Sequence, residues 1–195
     1  MYNKCILLCD SLGKDLYLHR TRVVSKPGAK IEDLTRKVWE GSIFISSYKV
    51  ILVLIGTCNI SHKQAWKDYQ LQKKQGIENP VLLDFPLIPL GEFRENYKKL
   101  VSTIRLYNRE AQLCLCAIPP RVYDFYQNMN HLKAINNIIK DITETTPDSQ
   151  YINSAKIFIK QNNIKEEDFC DGIHLSQKGN RRLTSLLNSQ IGLLC

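Results

Sequence analysis

Six consecutive apolar residues at 50–55, Val50-Ile51-Leu52-Val53-Leu54-Ile55, end abruptly at Gly56. Successive residues of a strand point to opposite faces, so a strand with no polar member must be covered on both sides. Two-sided burial is the condition of a central strand in a parallel sheet flanked by helices. The rest of the chain agrees with that reading. Short apolar runs at 4–8, 21–24, 111–117 and 151–152 alternate with helical stripes, the pattern of βαβ units. One stripe carries Ile31, Leu34, Val38 and Trp39. A second, at 92–108, carries Phe93, Tyr97, Leu100, Val101 and Ile104. A third, at 130–143, carries Leu132, Ile135, Ile138, Ile139 and Ile142, and residues 176–191 form a closing helix. Residues 155–160 read as a short helix.

No linker or internal repeat divides the chain, so residues 1–195 are expected to make a single domain. Residues 61–92 fit the pattern least. They combine a polar, charged stretch with an apolar one that holds Pro80, Pro86 and Pro89, which argues against a central strand. This segment is expected to be an elaboration above the sheet edge.

The opening apolar run is cut short by Asp10, and no stretch reaches the ~20 apolar residues that a membrane span requires. The chain is therefore expected to be intracellular and cytoplasmic, without a transmembrane segment. Seven cysteines, an odd number, fit a reducing compartment. Cys5, Cys114 and Cys116 lie inside apolar runs and read as small core residues. A zinc pair would normally have wider spacing and a second pair of ligands. The net charge of +8 attracts polyanions without defining a nucleic-acid site.

Chemistry in a doubly wound sheet gathers outside the carboxyl ends of the strands. Three sequence points fall there: Cys9-Asp10-Ser11 after the first strand, Gly56-Thr57-Cys58-Asn59 after the third, and Asp171-Gly172-Ile173-His174 near the end. Ser11 is a candidate nucleophile that needs a base. His174 is the candidate base, an imidazole being the side chain suited to proton transfer near neutral pH, and Asp171 is placed to orient it. Asp10 reads as a cap for the turn behind Ser11.

These blocks, with Pro27-Gly28-Ala29 between them, resemble the SGNH (GDSL-type) hydrolase family in order and spacing. The resemblance runs from residue 4 to about 187. It implies a three-layer α/β/α domain with a mostly parallel, flavodoxin-like five-stranded sheet. It also implies a serine esterase with the triad Ser11, His174 and Asp171, acting on a small ester or acylated substrate without a cofactor or metal. The closing run Asp171 to Leu183 is similar to SGNH-like domains encoded by some retrotransposons.

Two departures from the family pattern stand out. Cys9 takes the place of the family's glycine before Asp-Ser. In an ungapped alignment, Cys58 takes the place of the oxyanion-hole asparagine, and a thiol is a poorer donor than an amide. The expected oxyanion donors are the N–H groups of Ser11 and Gly28, with either Cys58 or Asn59 as the third. Impairment there leaves a second reading open, a weakly catalytic or inactive module that binds RNA or a protein. In that reading the segment Trp66-Lys67-Asp68-Tyr69, followed by Lys73 and Lys74, offers aromatic and basic groups together. The apolar loop 82–90 is a candidate acyl-pocket wall, lid or lipid contact. Cys9, Cys58 and Cys170 each flank a block. With His174 they suggest a soft metal or redox site, the simpler reading being three small residues packed beneath the site.

Overall fold

The computed structural model describes residues 4–60, 71–72, 74–78, 87–122 and 128–194. Five parallel strands, β1 (Cys5–Cys9), β2 (Thr21–Ser25), β3 (Val50–Leu54), β4 (Gln112–Cys116) and β5 (Ser149–Ile152), form one sheet in the order β2-β1-β3-β4-β5. This is the expected fold class, with every pairing in the sheet parallel.

The sheet sorts its residues by the period of two. Ile6, Leu8, Ile51, Val53, Leu113 and Leu115 face one core with helices α1 (Ile31–Trp39), α3 (Leu90–Tyr107) and α4 (Met129–Glu144). Cys5, Leu7, Cys9, Leu52, Leu54, Cys114 and Cys116 face the other core with helix α5 (Gln177–Leu194). Cys114 and Cys116 are thus wholly buried apolar neighbours on one face, as their spacing indicated. Burial in that core drives the Cys116 thiol well above its ordinary pKa, which keeps it protonated and inert.

Three local expectations need correction. Residues 155–160 do not form one helix. A 3₁₀ turn at Lys156–Phe158 leads into a small antiparallel hairpin, β6 (Ile159–Lys160) with β7 (Asn163–Ile164). Its corner is turned by Gln161 and Asn162, both with positive φ. Trp39 does not close the buried stripe of α1 but stands out in solvent at its last turn. Within 61–92, residues 90–92 already belong to α3. Most of that segment, including the Trp66–Tyr69 stretch and residues 82–86, lies outside the described residues. At its described end, Leu87 and Ile88 pack against the core of the α1, α3 and α4 layer.

Candidate active site

Three strand ends and one returning loop build the site at the carboxyl edge of the sheet. The Asp10 N–H donates to the Leu54 carbonyl, the Lys26 N–H to the Cys9 carbonyl, and the Ser25 hydroxyl to the Asp10 carbonyl. These bonds stitch together the exits of β1, β2 and β3. The fourth component arrives from the other side, where the Val122 N–H beyond β4 donates to the Gly172 carbonyl at 2.9 Å.

Ser11 opens a 3₁₀ turn (Ser11–Gly13) directly after β1 and is partly exposed. Asp10 caps that turn, as its position suggested, with its carboxylate accepting from the Leu12 N–H at 3.0 Å. The Asp10 side chain is fully buried. Burial raises its pKa, while Leu12, Thr57 and Gly56 act in the opposite direction. Cys9 lies beneath the turn. Its burial, reinforced by the neighbouring Asp10 charge, pushes the thiol up to about 12. A side chain at this position requires space elsewhere, and Gly13 supplies it: a Cβ added there would lie 2.3 Å from Cys9 Sγ. Cys9 and Gly13 are therefore sterically linked, a pairing that becomes visible only once the turn folds back over the strand.

The loop before α5 is a hairpin closed by hydrogen bonds. The Cys170 N–H donates to the His174 carbonyl at 2.9 Å, and Phe169 bridges Leu175. At its tip, Asp171 Oδ2 and His174 Nδ1 are 2.7 Å apart. Asp171 Oδ1 accepts from the backbone N–H groups of Ile173 at 2.9 Å and His174 at 2.7 Å. Burial alone would raise the Asp171 carboxyl. The His174 ring and these two N–H groups outweigh it and hold the carboxyl below its usual range. A carboxylate fixed by three donors orients the imidazole through Nδ1 and leaves Nε2 for a reacting partner. The whole loop is anchored from behind by Asp168, a buried carboxylate 3.2 Å from Arg182 Nε of α5. Gly179 is essential to that seat, because a Cβ there would come within 2.1 Å of the Asp168 carbonyl.

The third component is the turn after β3. Gly56 adopts φ +126, and an added Cβ would lie 2.6 Å from Ile118 Cδ1, so this exit admits only glycine. Helix α2 (Thr57–Ile60) follows with Cys58 half-buried and Asn59 buried. The Asn59 carboxamide is engaged at both ends. Its oxygen accepts from the Ile31 N–H at 3.0 Å, and its nitrogen donates to Glu32 Oε2 at 2.8 Å. Glu32 Oε1 in turn accepts from Asn96 of α3 at 3.1 Å. Asn59 thereby caps the start of α1, just beyond Gly28, and with Glu32 and Asn96 it fastens three helices together. Nothing in the spacing of Glu32, Asn59 and Asn96 announces this link, since their separations of 27 and 64 residues follow no local period.

Cys9, Cys58 and Cys170 do not behave alike. Cys9 is buried, Cys58 half-buried and Cys170 exposed, so packing beneath the site describes Cys9 only. Among the described residues no group of three or more His, Cys, Asp or Glu side chains is arranged to hold a metal ion. Among the same residues no helix is long and apolar enough to cross a membrane.

No protein-family model matches the chain, and no curated protein sequence matches it. Solved structures do match in fold. A lipase/acylhydrolase from Enterococcus faecalis aligns with a TM-score of 0.70 at 17% identity, over 98% of this chain and 95% of that one. A GDSL-like lipase from Bacteroides thetaiotaomicron aligns with a TM-score of 0.71 at 10% identity, over 99% and 89%. An acetyl xylan esterase variant from Geobacillus stearothermophilus aligns with a TM-score of 0.65 at 15% identity, over 98% and 95%. At these identities the likeness is one of fold: the chain has the three-layer architecture of GDSL-type hydrolases.

Proposed function

We propose that the chain is a serine ester hydrolase in which Ser11 is the nucleophile, His174 the general base and Asp171 the residue that orients His174. The observation that carries this reading is the Asp171–His174 pair, a 2.7 Å contact whose carboxylate is also held by two backbone N–H groups, at the carboxyl edge where Ser11 leaves β1. The two backbone bonds close the turn of the loop, and they also hold the second carboxylate oxygen against His174 Nδ1, the arrangement that a general base requires.

In the proposed sequence, His174 Nε2 takes the proton from Ser11 Oγ as the oxygen attacks the ester carbonyl carbon. The resulting imidazolium is stabilised by Asp171 and returns the proton to the leaving alcohol. Water, activated by the same imidazole, then hydrolyses the acyl-serine. The backbone N–H groups of Ser11 and Gly28 receive the oxyanion. Asn59 is already bonded to Ile31 and Glu32, and in this reading the third position is assigned to Cys58, a weaker donor. This predicts slow turnover of small acyl esters. The fold likeness to acylhydrolases and an acetyl esterase supports the substrate class.

The test is hydrolysis of p-nitrophenyl acetate and butyrate by wild type, Ser11→Ala and His174→Ala. Loss of activity in both variants, at unchanged thermal stability, is expected. Activity that survives both substitutions refutes the assignment.

A further inference from the structure

The two outer strands of the sheet differ in charge. β5 carries no charged residue, whereas β2 lies in a stretch, Leu16 to Ile31, that holds His19, Arg20, Arg22, Lys26 and Lys30 and no Asp or Glu. All of these basic side chains are exposed. β2 pairs with β1 alone, so one row of its backbone groups faces outward. The Lys26 N–H donates to the Cys9 carbonyl at 3.2 Å, which fixes the alternation. Arg22 and Val24 turn their N–H and C=O groups to β1, and Thr21, Val23 and Ser25 turn theirs to the open edge. Among the described residues no backbone group bonds to that outer row.

The faces of the strand differ as well. Val24 packs on the core beneath α1, on the side that Arg22 shares, while Val23 packs on the core beneath α5. The α5 side is uncharged, because Leu183 to Leu194 include no Asp, Glu, Lys or Arg. The α1 side is basic. Its carboxylate Asp33 is already paired with Arg36 at 3.1 Å. The Lys30 N–H, and then the charges of Lys26, Arg36 and Lys30, outweigh burial and hold that carboxyl below its usual range. Farther along α1, Lys37 and Glu40 carry opposite charges, and Glu32 is bonded to Asn59 and Asn96 towards α3. In the loop before β2, Lys14 pairs with Asp15 at 3.8 Å, and Lys4 joins His19 and Arg20 around one small hollow. These pairings leave Lys4, Arg20, Arg22, Lys26 and Lys30 in excess along the open edge.

We infer that the open edge of β2 takes an extended acidic segment of a partner protein as an added strand, with Asp or Glu at alternate positions facing Arg22, Lys26 and Lys30 and uncharged residues between them facing the α5 side. Main-chain bonds to Thr21, Val23 and Ser25 would supply the pairing, and the two unlike faces of β2 would select the alternation. A second copy of the chain is a poorer occupant. A two-fold pairing of β2 with itself would set Arg20, Arg22 and Lys26 against the same cations, which is how edge charges keep copies apart. The single sign that repels a copy attracts an acidic strand. A nucleic acid is poorer too, because the outward carbonyls of Thr21, Val23 and Ser25 would meet phosphate oxygens and find no donor there. The inference stands whether or not Ser11 is a nucleophile.

The experiment is fluorescence anisotropy of a labelled short peptide alternating Glu with Val and Thr, titrated with the full chain. Its controls are a peptide of the same composition with the Glu residues in one block, and the alternating peptide N-methylated at its central amides. The protein variants are Arg22→Glu/Lys26→Glu and Arg109→Glu, the latter altering an exposed cation beyond α3. Wild type is expected to bind the alternating peptide, less tightly as salt rises, and to bind both control peptides at least roughly tenfold more weakly. Arg22→Glu/Lys26→Glu is expected to lose at least roughly tenfold in affinity while keeping wild-type thermal unfolding, and Arg109→Glu to lose none. Three results overturn the inference: no binding of the alternating peptide, equal binding of either control peptide, or equal losses in the two variants. A labelled single-stranded oligonucleotide that binds more tightly than the peptide, and is released by Arg22→Glu/Lys26→Glu, would also overturn it and assign the edge to nucleic acid.

Discussion

Two polar side chains at the carboxyl edge, Asp171 and Asn59, are used in opposite ways. Asp171 sits on a loop tip with one carboxylate oxygen fixed by two backbone N–H groups and the other directed at His174, so its bonds lead outward to a titratable ring. Asn59 sits behind the turn after β3, and its bonds lead inward, to the first N–H of α1 and to Glu32. The proposed base therefore has its full support, whereas Asn59, one of the two candidates for the third oxyanion donor, is committed to architecture, and the other is a thiol. A site can keep its proton-transfer half intact while its charge-stabilising half weakens, because different elements hold the two halves.

Asp171→Asn removes the charge that holds His174 and should have the largest effect. It should lower kcat for p-nitrophenyl acetate by roughly 10⁴-fold with little change in KM, since an amide favours the wrong tautomer of the ring. A modest decrease would mean that the bracing of Asp171 serves the loop and not the chemistry. Next is Cys58→Asn, which restores an amide donor and should raise kcat by up to ~10²–10³-fold. An unchanged kcat would show that Cys58 faces away from the oxyanion. Gly13→Ala should destabilise the fold by at least about 1–3 kcal/mol, with Cys9→Gly/Gly13→Ala recovering most of the loss in denaturant titrations. Asn59→Ala should cost about 1–3 kcal/mol in the same titrations, through the N–H and the carboxylate it leaves unpaired, and should disturb KM less than stability.

The smallest effect concerns acid. Asp171 has a folded pKa below its unfolded value of about 3.9, so the stability it contributes is present above that pH and disappears as pH falls through the folded value. Asp10 and Asp168 have raised values and act with the opposite sign, costing stability above the ordinary carboxylate range and recovering it on acidification. Unfolding free energies measured across the carboxylate range should therefore show a shallower acid loss in Asp171→Asn than in wild type.

Much of this arrangement is legible in the sequence, and the gaps have physical causes. The uninterrupted run Val50 to Ile55 is sufficient to require a sheet covered on both faces, and burial of every residue of β3 bears this out. Asp171 and His174 are three residues apart, so their meeting is a local event that spacing can suggest. The link among Glu32, Asn59 and Asn96, the Cys9–Gly13 clearance and the Asp168–Arg182 anchor are not local. They arise only when strand exits and helix ends are brought side by side. Trp39 misleads for a related reason: it continues the apolar period of α1, but the helix outlasts the core beneath it.

The measurement closest to the central claim is labelling of the folded chain with a fluorophosphonate, read by peptide mass spectrometry in wild type, His174→Ala and Asp171→Asn. A single adduct on Ser11 is expected, forming far more slowly in both variants. An unlabelled Ser11 in folded wild type, or labelling at Ser11 that ignores His174, would contradict it.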